Sequence, residues 1–124
     1  MIEKEMLNKK IWAVVGASQD EEKYGNMIYN KLKRKGYQVY AINPNCDDIN
    51  GDVCYDNISS LPVVPDVINM VVSPKRARAI LNEASGLKIK FVWFQPETYN
   101  DEVLDYANKL GLVTAQACVL VATR

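Results

Sequence analysis

Four short, uninterrupted apolar segments, each followed by turn residues, constrain the fold of this chain most strongly. They span residues 11–15, 39–42, 67–72 and 91–94. Strands that are apolar on both faces usually lie inside parallel sheets that helices cover on both sides. Two weaker runs, 53–55 and 112–115, predict two further strands. The apolar run 118–122 predicts a last short strand or a buried tail.

Three segments between the predicted strands carry apolar residues with helical spacing, at 24–36, 73–86 and 100–111. Ser73 suits the N-cap and Pro74 the first position of the second helix, and Asn100 suits the N-cap of the third. Strand–helix alternation at this spacing predicts βαβ units with right-handed crossovers. We therefore expect an α/β fold, with one Rossmann-like, doubly wound parallel sheet over residues 1–124 and strand order 3-2-1-4-5-6.

The segment 43–66 interrupts this alternation. It contains Pro44, Gly51, Pro62 and Pro65 and has no helical period. We predict a loop, the short strand 53–55 and at most one helical turn near 58–61. A missing helix leaves one face of the sheet thinly covered, and we expect a homodimer contact there.

Composition excludes several classes of function. Of 124 residues, 15 are basic and 15 acidic, so net charge provides no strong attraction to nucleic acid or an anionic membrane. No apolar run approaches about 18 residues, and the first ten residues lack the apolar core of a secretory signal. The absence of histidine excludes histidine catalysis and histidine metal ligation. We expect neither a catalytic residue nor a metal site.

Three cysteines, Cys46, Cys54 and Cys118, form no C-x-x-C pair. An odd number of cysteines in a chain without an export signal is typical of a reduced, cytoplasmic protein. We therefore interpret all three as free thiols.

Small polar residues and prolines follow the four strongest strands. Because parallel strands present their carboxyl ends at one edge of the sheet, these residues predict a cleft. They are Gly16, Ala17, Ser18, Asn43, Pro44, Ser73, Pro74, Gln95 and Pro96.

The turn at Gly16 indicates a phosphate site. Glycine permits a tight turn, and N–H groups at the start of the next helix bind anions. Lys23, Lys75 and Arg76 supply nearby cations. The fingerprint G-x-G-x-x-G is absent, and Asn43 stands where NAD-binding proteins carry an acid after the second strand. Both absences argue against NAD(P).

Residues 14–26 and 36–44 resemble the small CoA-binding proteins, and 49–55, 59–62 and 91–96 continue the resemblance in order. These proteins are single Rossmann-like domains, similar to the CoA-binding domain of the succinyl-CoA synthetase alpha subunit. The resemblance implies CoA or acyl-CoA as the small-molecule ligand. It implies phosphate at Gly16, Ala17 and Ser18, followed by the motif residues Lys23, Tyr24 and Gly25. It also implies that Asn43 and Pro44 lie against the nucleotide and that Ser73 and Pro74 line the same cleft. The pantetheine arm would then lie near Gln95 and Pro96.

Two positions depart from the family pattern: Gln19 replaces a residue that is often basic, and Glu97 replaces a frequent glycine. The synthetases use a phosphohistidine on a further domain, and this chain has no histidine. We therefore expect a binding protein rather than an enzyme. The alternatives are an NAD(P)-linked oxidoreductase and a regulatory interaction module whose nucleotide site has decayed.

Overall fold

The computed structural model describes residues 1–124, which form one seven-stranded sheet with helices on both faces. The strands are β1 (Ile11–Val15), β2 (Gln38–Ile42), β3 (Asp48–Ile49), β4 (Asp52–Tyr55), β5 (Val67–Met70), β6 (Phe91–Phe94) and β7 (Val113–Gln116). The helices are α1 (Ile2–Leu7), α2 (Tyr24–Arg34), α3 (Pro74–Gly86), α4 (Asp101–Lys109) and α5 (Val119–Ala122).

The strand order β3-β4-β2-β1-β5-β6-β7 confirms the predicted arrangement of the six parallel strands. It differs in one detail, because the two-residue strand β3 pairs antiparallel with β4 at the edge of the sheet. Strand β1 lies centrally, between β2 and β5. The chain order reverses there, which opens a crevice at the carboxyl ends of these strands.

Two apolar clusters cover the two faces of the sheet. One joins α1, α2 and α5 to Trp12, Val14 and Trp93. The other joins α3 and α4 to Ala13, Ile68 and Val92. Successive strand residues thus face opposite clusters, as expected for strands that are apolar on both faces.

All three predicted helices form, and their ends agree closely with the sequence signals. Asn100 caps α4, because its side chain accepts a hydrogen bond from Val103 N–H at 2.8 Å. Ser73 occupies the N-cap of α3 but makes no side-chain capping bond, and Pro74 is the first helical residue.

Each end of the chain forms a helix that the sequence analysis did not predict. The run 118–122 forms helix α5 rather than a strand, because Gln95 Oε1 accepts the Val119 N–H at 2.9 Å and satisfies the helix start. Helix α1 was not predicted, and buried Met6 anchors it to the core. The strand predicted over 67–72 ends at Met70, where the chain turns into the cleft.

The segment 43–66 forms loops, β4 and a single 3-10 turn at Ile58–Ser60, as predicted, and it also contains the short strand β3, which was not predicted. Tyr40 and Tyr55 are half-buried over this part of the sheet, with ring centroids 6.1 Å apart. No helix of the chain combines the length and apolar composition that crossing a membrane requires.

Candidate ligand-binding cleft

Two glycines set the shape of the turn between β1 and α2. Gly16 has φ of +103°, and a Cβ there would lie 3.1 Å from Val72 Cγ1. A Cβ on Gly25 would lie 2.0 Å from the Gly16 carbonyl oxygen. The first turn of α2 therefore rests directly on the β1 turn, which side chains at these two positions would prevent.

Two side-chain amides donate hydrogen bonds to backbone carbonyl groups of this turn. Asn43 Nδ2 donates to Ala17 O and Asn26 Nδ2 donates to Ser18 O, each at 2.9 Å. In a planar trans peptide the carbonyl oxygen and the following N–H point in opposite directions. The N–H groups of Ser18 and Gln19 therefore point away from the amides that hold the turn.

Three successive N–H groups of this turn have no acceptor within the chain. They belong to Ala17, Ser18 and Gln19, whereas the next N–H, that of Asp20, donates to Ser18 Oγ at 3.0 Å. Protein backbone N–H groups away from water are almost always paired. A run of free N–H groups after a glycine turn forms a concavity that suits an anion.

The turn opens into a cleft that crosses the carboxyl ends of the strands. The cleft consists of a wide pocket of about 580 Å³ and a narrow pocket of about 250 Å³. Four residues line both pockets: Tyr24, Val71, Val72 and Ser73. The wide pocket also contains Gly16, Ser18, Glu22, Lys23, Gly25, Asn43 and Arg76. The narrow pocket also contains Gln95, Pro96, Glu97, Thr98 and Cys118.

Gln95 fixes the wall of the narrow pocket. Its side chain is 4% exposed; Oε1 accepts from Val119 N–H, and Nε2 donates to Cys118 Sγ at 3.6 Å. Thr98 Oγ1 donates to the Gln95 carbonyl oxygen at 2.7 Å. The polar groups of this wall are thus paired with one another, which leaves a pocket bounded by Val71, Val72 and the half-buried Cys118.

Two cations line the wide pocket without an ionic partner. Lys23 and Arg76 are exposed, and neither forms a salt bridge. Glu22 is the acidic residue on this pocket. Gln19 turns its side chain toward the sheet edge, where Nε2 donates to Asp48 Oδ1 at 3.2 Å.

Three of the predicted site residues do not line the cleft. Ala17 is fully buried, because its carbonyl anchors the turn to Asn43. Pro44 is exposed beyond the cleft, and Pro74 faces a separate pocket between α3 and α4 together with Lys75. The other nine predicted residues lie on the two pockets.

Sequence reasoning missed Val71, Val72 and Thr98 as cleft residues, although each lies within two residues of a predicted position. Val71 and Val72 were interpreted as strand residues. Glu97 has φ of +71°, in the left-handed region that favours glycine. This conformation gives a physical reason for the glycine that the resemblance implies at this position.

Comparison with known proteins finds a matching domain family and a group of similar ligases. Residues 10–124 match the family described as CoA binding domain. The ADP-forming acetate–CoA ligase II of Archaeoglobus fulgidus is 29% identical over 122 residues, covering 88% of this chain and 18% of the ligase. The chain spans between 10% and 18% of the length of the ligases it matches.

Solved structures share the fold. A conserved hypothetical protein from Pyrococcus furiosus is 38% identical with a TM-score of 0.85, covering 92% of this chain and 99% of that chain. A dinucleotide-forming acetyl-coenzyme A synthetase from Ca. Korarchaeum cryptofilum, solved with phosphate and ADP, is 26% identical with a TM-score of 0.77, over 92% of this chain and 27% of that one. With the family match covering all but the first nine residues, the chain belongs to the CoA binding domain family.

Proposed function

We propose that this protein binds CoA or an acyl-CoA across the carboxyl ends of β1, β2, β5 and β6, without catalysing a reaction. The observation that carries the proposal is the pair of unpaired N–H groups at Ser18 and Gln19, beside a cleft that holds two unpaired cations. This arrangement suits a ligand with several phosphates. The family match points to the same ligand.

The two pockets divide the ligand between them. The pyrophosphate lies on the β1 turn in the wide pocket, where Lys23 and Arg76 supply positive charge. The pantetheine arm enters the narrow pocket, whose volume of about 250 Å³ and valine lining suit a slender, partly apolar chain. Asn43, rather than an acid, follows β2 and donates to Ala17 O, so the end of this strand carries no carboxylate to receive the ribose hydroxyl of NAD.

A thermal-shift comparison tests this proposal. The full chain is heated with CoA, 3′-dephospho-CoA, NAD or NADP at matched concentrations. A ligand present at about 100 times its dissociation constant adds roughly 2.7 kcal/mol to the free energy of unfolding. In a domain of this size that raises the melting temperature by about 10 °C.

We expect the largest shift with CoA. A larger shift with NAD or NADP would overturn the proposal in favour of the oxidoreductase. The absence of a shift with all four ligands would favour the interaction module with a decayed site. Mass spectrometry of ligand released from the purified protein provides a second, independent readout.

A further inference from the structure

The chain makes a tight turn directly after β6, on the wall of the narrow pocket. Thr98 N–H donates to Gln95 O at 3.2 Å, which closes the turn. Pro96 is its second residue, and Glu97, with φ of +71°, is its third. A proline in the second position and a positive φ in the third are features of a type II turn, whose third residue is usually glycine or asparagine. Glutamate therefore occupies a position at which the backbone conformation disfavours it.

The fold makes no use of the Glu97 carboxylate. Neither of the two salt bridges of the protein includes it, and the hydrogen bonds of the turn come from Thr98, whose N–H and Oγ1 both donate to Gln95 O. Residues other than glycine that adopt this strained conformation are concentrated at binding and active sites. The side chain of Glu97 is thus available to a ligand.

Charge is distributed unequally between the two pockets of the cleft. Glu97 lines the narrow pocket, where it is accompanied by no lysine, arginine or aspartate. The wide pocket holds two cations and one acid, which are Lys23, Arg76 and Glu22. A ligand that spans the cleft therefore meets positive charge at one end and a single carboxylate at the other.

We propose that Glu97 makes the narrow pocket selective for free CoA or for CoA that carries a short, uncharged acyl group, because it repels an acyl group that ends in a carboxylate. This inference rests on the proposed function and adds the class of acyl group to it. With the phosphates on the β1 turn, the pantetheine arm passes the residues shared by both pockets. The sulfur and any acyl group then lie against the wall that contains Glu97.

The narrow pocket offers an incoming carboxylate little compensation for this repulsion. It contains no cation, and the side-chain amide of Gln95 is already occupied by Val119 N–H and Cys118 Sγ. Two like charges about 5 Å apart at the protein surface disfavour binding by roughly threefold to tenfold, depending on the water and salt between them. A methyl group at the same place meets no such penalty.

Calorimetric titration of the full chain with propionyl-CoA and malonyl-CoA tests the inference, since the two acyl groups have equal chain length and differ in a terminal methyl or carboxylate. We expect malonyl-CoA to bind roughly threefold to tenfold more weakly at low salt, with a smaller difference at high salt. Glu97→Gln keeps the size of the side chain and should bring the two affinities within about twofold of each other. Equal binding of both ligands by the unmodified chain, or an undiminished preference in Glu97→Gln, would overturn the inference.

Two further variants separate the charge of Glu97 from its backbone conformation and from general surface charge. Glu97→Gly removes the charge and suits the positive φ, so it should resist denaturant better than Glu97→Gln yet lose the preference to the same extent. Glu102→Gln makes the same change in net charge at an exposed residue of the pocket between α3 and α4, and it should retain the preference. Loss of the preference in Glu102→Gln, or in Glu97→Gly but not in Glu97→Gln, would contradict a direct effect of the carboxylate.

Titration with CoA itself distinguishes failure of this inference from failure of the proposed function. If CoA binds and the unmodified chain treats propionyl-CoA and malonyl-CoA alike, the selectivity assigned to Glu97 is wrong and the proposed function stands. If neither CoA nor either acyl-CoA binds, the proposed function fails and the selectivity fails with it. Binding of CoA together with a preference that only the Glu97 variants remove supports both.

Discussion

The space for a side chain at Gly25 is occupied by the carbonyl oxygen of Gly16, 2.0 Å from the position of a Cβ. The oxygen belongs to the backbone and cannot rotate away. Gly25→Ala should therefore push α2 off the β1 turn and lower the free energy of unfolding by about 1–3 kcal/mol, as overpacking does. Denaturant unfolding followed by fluorescence of the two buried tryptophans, Trp12 and Trp93, measures the change.

Gly86→Ala is the matched control, since no atom beyond the chain neighbours and the helix's own backbone lies within 4 Å of a Cβ at that helical position. Alanine is the better helix former, so this variant should be more stable by up to about 1 kcal/mol. Equal destabilisation by both substitutions would contradict the assignment of close contact to Gly25.

Substitution of Arg76 and of Arg78 distinguishes a direct charge contact with the ligand from the effect of general surface charge. Arg76 lines the wide pocket, whereas Arg78 stacks on Tyr106 at 3.9 Å and lies in the pocket between α3 and α4. Arg76→Gln should weaken CoA binding about fivefold to tenfold and make the remaining binding less sensitive to salt, because one charge-assisted contact is lost. Arg78→Gln should leave both unchanged. Calorimetric titrations at two salt concentrations make the comparison; similar effects of both variants would remove Arg76 from the site.

Asn43→Asp keeps the size of the side chain but removes the amide donor to Ala17 O. It also places a carboxylate beside the turn proposed to bind phosphate. We expect roughly tenfold weaker CoA binding from the lost hydrogen bond and charge repulsion together. Asn45→Asp adds the same charge at an exposed neighbour and should have little effect. Equal loss in both variants would indicate general electrostatics rather than the Asn43 contact.

Alkaline pH should destabilise the fold through Cys54. Burial and the neighbouring Cys46 thiol raise the pKa of Cys54 from its usual value near 9 to about 12. The folded state thus retains a proton that the unfolded state releases, so the free energy of unfolding decreases between pH 9 and 12 and is unaffected below that range. Cys54→Ala should show a shallower decrease in denaturant unfolding at stepped pH. An unchanged slope would show that the Cys54 thiol does not contribute.

The residues whose roles could be predicted are those that the pattern of neighbouring residues in the sequence indicates. Strands that are apolar on both faces, such as 91–94, together with the helices between them, predicted the order of the parallel strands. Gly16 indicated the turn at the point where the strand order reverses. The roles of Asn26 and Asn43 in holding the turn depend on contacts that join separate elements. Helix α5 likewise depends on Gln95, which is 24 residues from Val119. Local spacing carries no information about such partners.

Pro44 and Pro74 illustrate a second limit. Each follows a strand as expected, yet neither side chain lies in the cleft. A residue's position at the end of a strand predicts the edge of the sheet that it occupies. The direction of its side chain depends on the following backbone turn, which the sequence pattern does not determine.

The amides of Asn26 and Asn43 fix the β1 turn through hydrogen bonds made within the chain itself. The conformational entropy of ordering these peptides is therefore lost when the chain folds, and is not lost again when the proposed phosphate ligand binds. Preorganisation of this kind lets each N–H contribute most of its interaction energy to affinity. It also means that the backbone of residues 16–19 should superimpose closely in the free and bound proteins.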